Sequence, residues 1–92
     1  MIRTFRNRGL KRLYERGDRS RLRADQVERI EVALADLDAA RNPWDLAMPG
    51  YRLHQLKVDR KEFWSIRISA NWRMVFRFDG GDVYDVDLID YH

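Results

Sequence analysis

The apolar positions of the first forty residues repeat with the period of an α-helix. Leu10, Leu13 and Tyr14 share one face of a helix predicted over Arg8–Arg16, and Gly17 is a natural end for it. A longer stripe predicts a second helix over residues 24–40, and its apolar members are Val27, Ile30, Ala33, Leu34 and Leu37. The polar residues between the two stripes indicate a connector.

After Gly50 the apolar period falls to two, which is the period of a β-strand. Strands are predicted over residues 51–56, 63–69, 72–78 and 83–91, with a further short strand over residues 1–6. The pair Gly80-Gly81, flanked by two aspartates, is a strong hairpin signal. The pattern therefore predicts an α+β fold in which two N-terminal helices pack on an antiparallel sheet of four to five strands. Residues 1–92 are expected to form a single domain.

The two faces of the predicted sheet differ strongly in character. The face expected to pack on the helices is apolar and consists of Trp64, Ile66, Ile68, Trp72, Met74, Phe76 and Phe78. The opposite face carries His54, Arg67, Arg73 and Arg77. We therefore expect a basic, lightly covered sheet face.

Composition narrows the classes of protein to consider. The chain has no cysteine, so disulfides and thiolate metal sites are excluded, which fits a reducing cytoplasm. No secretory signal or apolar stretch long enough for a membrane span is present. The net charge is +3, and basic residues concentrate in segments 1–23 and 52–77. Such arginine-rich surfaces make RNA or DNA the first partner to consider, although a GC-rich genome would also favour arginine over lysine.

The residues able to carry chemistry favour metal-free phosphate chemistry. Neither metal-ligand spacing nor a phosphate-binding glycine loop is present, so no metal or cofactor is expected. The meander could bring His54, Lys57, Arg67 and Arg73 together with the terminal Asp90-Tyr91-His92. Histidine suits proton transfer near neutral pH, and arginine and lysine suit the charge of a phosphate. A simpler interpretation is that His54 is merely solvated and that the arginines pair with Asp85 and Asp87.

The sequence resembles the HigB-type toxins, or plasmid maintenance killer proteins, of the RelE/ParE superfamily. The resemblance extends over nearly the whole chain and is carried most specifically by "YRLHQLK", "WSIRISANWRMVFRF" and the terminal "DYH". It implies a RelE-like fold and a metal-independent endonuclease that cuts messenger RNA in the decoding site of translating ribosomes. It also implies a HigA-type helix-turn-helix antitoxin, through which alone the toxin would contact operator DNA.

The resemblance also implies roles for individual residues. The active-site positions of the family fall on His54, Lys57, Arg73, Asp90, Tyr91 and His92. His92 and Asp90 are then candidates for activating the 2′-OH, and His54 or Lys57 for protonating the leaving oxygen, although these roles could be exchanged. Further RNA phosphate contacts are expected from Arg52, Arg60, Lys61, Arg67 and Arg77. Contacts to ribosomal RNA are expected from Arg3, Arg6, Arg8, Lys11, Arg12, Arg16, Arg19, Arg21 and Arg23.

Two alternatives remain open at the level of sequence. ParE-like relatives share the fold but act on DNA gyrase, and a fold by itself does not determine function. A non-catalytic RNA-binding module is the other alternative, but it would not need the proton-transfer groups of the terminal "DYH".

Overall fold

Two α-helices pack on one face of a four-stranded antiparallel sheet, which confirms the predicted α+β class. The structure is a computed structural model that describes residues 1–58 and 61–91. The helices are α1 (Arg8–Arg16) and α2 (Val27–Ala39), and short 3-10 helices span Pro43–Leu46 and Pro49–Tyr51. The strands, in sheet order, are β1 (His54–Val58), β2 (Lys61–Ser69), β3 (Trp72–Asp79) and β4 (Asp82–Asp90). Two predicted site residues, Arg60 and His92, lie outside the described residues.

Helix α1 has the predicted bounds because both of its ends are capped. The Asn7 side chain accepts a hydrogen bond from the Leu10 N–H at 2.9 Å, which satisfies one of the free amides of the first turn. Gly17 adopts the left-handed conformation, with φ of 68°, and its N–H donates to carbonyls of the last turn. Helix α2 begins at Val27, three residues later than predicted, because Gln26 and Val27 both donate to the Arg23 carbonyl in a preceding turn.

The sheet is a meander with tight hairpins at both ends of β3. Gly80 and Gly81 both have positive φ, at 59° and 85°, so the predicted glycine turn joins β3 to β4. The turn between β2 and β3 contains Ala70, whose φ is also positive at 46°. None of the helices in the described part of the chain has the length and apolarity needed to cross a membrane.

The predicted strand over residues 1–6 is wrong, because within the described residues this segment makes only two isolated parallel bridges, both to β4. The bridges pair Ile2 with Val83 and Phe5 with Val86. Between them β4 carries an irregularity at Asp85, whose φ is 56°. The Asp85 N–H donates to the Thr4 hydroxyl at 2.8 Å rather than to a backbone carbonyl, which interrupts a regular ladder.

Strand β1 begins at His54, three residues later than predicted. The preceding Tyr51 ends a 3-10 helix, and Arg52 has a left-handed φ of 47°, so the chain turns sharply before the strand. The Tyr51 hydroxyl donates to the Asp36 carboxylate of α2, which anchors this turn to the helix. As a result the Arg52 carbonyl is held beside the sheet rather than within it.

The core lies between the helices and the predicted apolar sheet face. Leu10 and Leu13 of α1 and the apolar stripe of α2 are buried against this face. The seven predicted sheet residues all belong to this core cluster or pack against it, namely Trp64, Ile66, Ile68, Trp72, Met74, Phe76 and Phe78. The other face of the sheet, which we call the open face, is therefore the surface on which a site can form.

Candidate active site

One half of the open face is more thoroughly covered than the sequence predicts. Phe63 is only 2% exposed, and the guanidinium of Arg6 lies 5.3 Å from the centre of its ring. Val75 is also buried, on the neighbouring strand. The expectation of a lightly covered face is wrong for this half, because the alternation of β2 turns a large aromatic side chain outward and the N-terminal segment covers it.

Arg77 belongs to this covered half and has its own acidic partner. Its Nε donates to Asp85 at 2.8 Å, and its guanidinium lies 4.9 Å from the ring centre of Tyr84. The guanidinium lowers the pKa of the Asp85 carboxyl, mainly through this hydrogen bond. For Arg77 the simpler interpretation from the sequence, an arginine paired with Asp85, is therefore what the structure shows.

Arg73 lies on the same strand as Arg77 but has entirely different contacts. Its Nε donates to the Ser65 hydroxyl at 2.8 Å, and its Nη2 donates to the Arg52 carbonyl at 2.7 Å. A longer hydrogen bond of 3.3 Å joins Nη2 to the Ser65 carbonyl. All three acceptors are neutral oxygens, so the guanidinium is held in place without a carboxylate partner among the described residues.

Two further arginines adjoin Arg73 and increase the local positive charge. Arg67 is directly opposite Arg73 in the ladder between β2 and β3, and Arg52 supplies the carbonyl just described. Burial lowers the pKa of Arg73, and the charges of Arg52 and Arg67 lower it further. Within residues 1–58 and 61–91, none of the three forms an ion pair. We call Arg52, Arg67 and Arg73 the arginine cluster.

His54 lies beside this cluster at the start of β1. It pairs with Ser65 across the strands, and Ser65 in turn pairs with Val75. Strand alternation places the three on the open face, and His54 is exposed there. Ser65, by contrast, is only 1% exposed beneath the Arg73 guanidinium. The sequence analysis did not single out Ser65, although a small polar residue in an apolar strand is the available signal.

Tyr91 continues the open face just beyond the end of β4. Its N–H donates to the Asn71 carbonyl in the turn between β2 and β3, at 2.8 Å, so the backbone is held past the last strand residue. The side chain is 43% exposed. Its phenol lies close enough to Arg73 to act on the pKa of the guanidinium, and its effect is to raise that pKa. An accessible aromatic ring therefore stands next to the arginine cluster.

Register does not bring Lys57 and Asp90 onto the open face. Lys57 pairs with Glu62, and Asp90 pairs with Trp72, so strand alternation puts both on the side that faces the helices. The pKa of Arg23 is raised mainly by its hydrogen bond to Asp25, and the charge of Asp90 adds to this effect. The Arg23 guanidinium lies 6.0 Å from the Trp72 ring centre. The expectation that all the predicted groups share one face is therefore wrong for these two, because their positions have the opposite parity.

The predicted ribosomal contacts fall into two groups. Four are paired with carboxylates: Arg3 with Asp82, Arg12 with Asp18, Arg19 with Glu31 and Arg23 with Asp25. In the described part of the chain, no ion pair involves Arg6, Arg8, Lys11, Arg16 or Arg21. The unpaired group includes three exposed cations of α1. Lys61 is exposed at the start of β2.

The described residues contain no cluster of three or more histidine or carboxylate side chains that could hold a metal ion. The positive charge at the open face is instead that of guanidinium groups, which suit an anionic ligand with several oxygens.

Comparisons with known proteins show which sequences this chain is similar to. The sequence model of one family, described as the RelE-like toxin of the type II toxin–antitoxin system HigB, matches residues 3–92. A curated relative, the endoribonuclease HigB of Proteus vulgaris, is 44% identical over 92 residues, which is 100% of this chain and 100% of the relative.

Proposed function

Because this chain belongs to the HigB-like family of RelE-like toxins of type II toxin–antitoxin systems, we propose that it is an endoribonuclease that cleaves messenger RNA on the ribosome. The relative from Proteus vulgaris, which this chain matches over its full length, is named an endoribonuclease, and this supports the activity. The observation that carries the proposal is the arginine cluster on the open face, with His54 and Tyr91 beside it.

The proposed reaction is attack of a ribose 2′-oxygen on the adjacent phosphate. The 2′-OH gives its proton to a base, the new O2′–P bond forms, and the P–O5′ bond breaks while an acid protonates the departing oxygen. Negative charge grows on the non-bridging oxygens, so fixed guanidinium donors stabilise the transition state more than the ground state. Arg73 supplies these donors, and Arg52 and Arg67 add positive charge.

Proton transfer is assigned to the histidines. An imidazole can both accept and donate a proton near neutral pH, and His54 stands next to Arg73 on the open face. His92, predicted from the sequence as a base together with Asp90, is the other proton-transfer group in the proposal. Tyr91 offers an exposed ring on which a nucleotide can stack. Lys57 is given a smaller role in this mechanism, because its register position lies on the opposite face of the sheet from the arginine cluster.

Family membership implies an antitoxin partner. We propose that this partner is a helix-turn-helix protein of the HigA type, and that operator DNA is contacted through it alone. The toxin would work in the cytoplasm, where ribosomes and messenger RNA are found. No metal or cofactor takes part in the proposed reaction.

Cleavage of ribosome-bound messenger RNA by the purified protein tests the proposal. We expect defined cuts by the wild type, and a loss of about 100-fold in the cleavage rate for Arg73→Ala, the size typical for removing one transition-state donor. Arg41→Ala is the matched control, because Arg41 is exposed beside the glycine turn at the other end of β3. Intact messenger RNA together with gyrase-dependent DNA breaks after toxin induction would replace the nuclease with the ParE-like alternative.

A further inference from the structure

The guanidinium of Arg73 is only partly used by the protein. It has five N–H groups, and three of them point at acceptors: Nε–H at the Ser65 hydroxyl, and the two of Nη2 at the carbonyls of Arg52 and Ser65. No acceptor for the two N–H groups of Nη1 is found among residues 1–58 and 61–91. One end of the fork is therefore fixed and the other is left for a ligand.

Ser65 determines this orientation more than any other side chain. Its hydroxyl is the only side-chain acceptor that Arg73 has in the described part of the chain, and it is almost completely buried. A buried serine in a strand has a fixed position, because the backbone on both sides is held by the ladders to β1 and β3. The hydroxyl thus transmits the rigidity of the sheet to a long and otherwise flexible side chain.

The Arg52 carbonyl holds the guanidinium from the second side. It is presented by a residue in the left-handed conformation, at the end of a turn that the Tyr51 hydroxyl ties to Asp36 of α2. This arrangement has a cost, since a left-handed arginine is unfavourable and three like charges lie together. Such costs are typical of a site whose geometry serves a ligand.

We propose that Ser65 is a positioning residue for RNA cleavage, which orients Arg73 so that its Nη1 edge meets the scissile phosphate. The inference rests on the proposed nuclease function and adds the group that sets the geometry of its phosphate donor. Ser65 itself does not contact the substrate. Its effect passes through Nε of Arg73, and this route can be tested separately from any effect on stability.

The first test is Ser65→Ala, measured by single-turnover cleavage of ribosome-bound messenger RNA. We expect the rate at saturation to fall by about tenfold to 100-fold, which is typical of a misplaced catalytic group, while the concentration needed for half-saturation changes little. Ser69→Ala is the matched control, because it removes a hydroxyl of the same strand that bonds to Gln26 instead of to an arginine. Ser65→Cys keeps the side chain nearly the same size but offers only a weak acceptor, so it should show the same fall in rate. It replaces Ser65→Ala as the test if the alanine variant does not fold.

A double-mutant cycle with Arg73→Lys separates positioning from a structural role. Lysine has no Nε–H fork, so in that background the loss of the Ser65 hydroxyl should have no further effect on the rate. If both Ser65 variants cleave at the wild-type rate, or if the effects of Ser65→Ala and Arg73→Lys simply multiply, the positioning role is wrong. A wild-type rate for Arg73→Lys and Arg73→Ala alike would instead overturn the phosphate role of Arg73, whereas the proposed function fails if the wild type itself leaves ribosome-bound messenger RNA intact.

Discussion

Two arginines on one strand show how contacts, rather than residue type, decide a role. Arg73 and Arg77 lie on the same face of β3 and are equivalent in the sequence pattern. Arg77 is neutralised by Asp85, whereas Arg73 faces Arg67 and, as far as the structure describes the chain, donates only to neutral oxygens. The sequence could not separate them, because the irregularity at Asp85 that brings this carboxylate to Arg77 leaves no periodic signal.

At the residue scale we predict that His54 is needed for chemistry but not for folding. His54 is exposed, so His54→Ala removes a proton-transfer group without opening a cavity. The cleavage rate should fall by about 100-fold, as is typical for losing a general acid or base, and the melting temperature should be unchanged. An exogenous imidazole should restore part of the rate. A folded variant with the wild-type rate would remove His54 from the mechanism.

A second residue-scale prediction concerns His92, whose role is inferred from the sequence alone. Replacing it by Gln should abolish growth arrest in cells that express the toxin without its antitoxin. The measurement is the growth curve after induction, with toxin levels checked in the same cultures. Purified, folded His92→Gln that still cuts ribosome-bound messenger RNA at the wild-type rate would show that the proton passes elsewhere.

At the scale of elements, local periodicity and turn residues predicted a large part of the fold from the sequence. The bounds of α1, the glycine hairpin and the apolar sheet face all follow from spacing and turn residues, and the structure confirms them. The start of β1 at His54 could not be predicted in this way, because it depends on the tie between Tyr51 and α2. The position of Ser65 beneath Arg73 could not be predicted in this way either, because it depends on the register of the ladder between β2 and β3.

The hydrogen bonds that join α1 and the N-terminal segment to α2 should make the stability of the fold depend on pH. Asp38 of α2 accepts hydrogen bonds from the Tyr14 hydroxyl of α1 at 2.6 Å and from the Ile2 N–H at 3.0 Å. The Tyr14 bond, more than the Ile2 bond, lowers the pKa of Asp38, and the same bond raises the pKa of Tyr14 to about 12. A lowered carboxyl pKa adds stability that is present above its ordinary value and lost as the pH falls through the folded value. A raised phenol pKa adds stability that is lost as the pH rises towards about 12.

Tyr14→Phe should therefore lower the free energy of unfolding by about 1 kcal/mol near neutral pH, the size of one hydrogen bond to a carboxylate in partly exposed surroundings. The difference from the wild type should shrink in acid, where Asp38 becomes protonated, and again in strong alkali. Denaturant unfolding across the pH range measures it. Tyr84→Phe is the control, since its hydroxyl has no hydrogen bond within the described residues, and an equal loss there would contradict the assignment.

At the scale of the whole molecule, the division between paired and unpaired cations matters more than the net charge of +3. Cations paired with carboxylates link neighbouring parts of the fold: Arg3 links the N-terminal segment to Asp82 of β4, and Arg19 links the connector to Glu31 of α2. Among the described residues, cations without an ion pair make up two surfaces in particular, the arginine cluster and the exposed side of α1 with Arg8, Lys11 and Arg16. We infer that the first surface acts on the scissile phosphate and the second grips ribosomal RNA.

Salt dependence tests this division. Each cation that contacts an RNA phosphate releases counterions, so the logarithm of the binding constant should fall with the logarithm of salt concentration, by about one unit of slope per contact. The double variant Arg8→Ala/Arg16→Ala should therefore bind ribosomes with a slope shallower by about two. Arg41→Ala removes an exposed arginine elsewhere and should leave the slope unchanged. Since the open face is untouched in the double variant, its cleavage rate at saturation should equal that of the wild type. An unchanged slope, or a saturated rate reduced as much as in Arg73→Ala, would mean that binding and chemistry are not separated on this molecule.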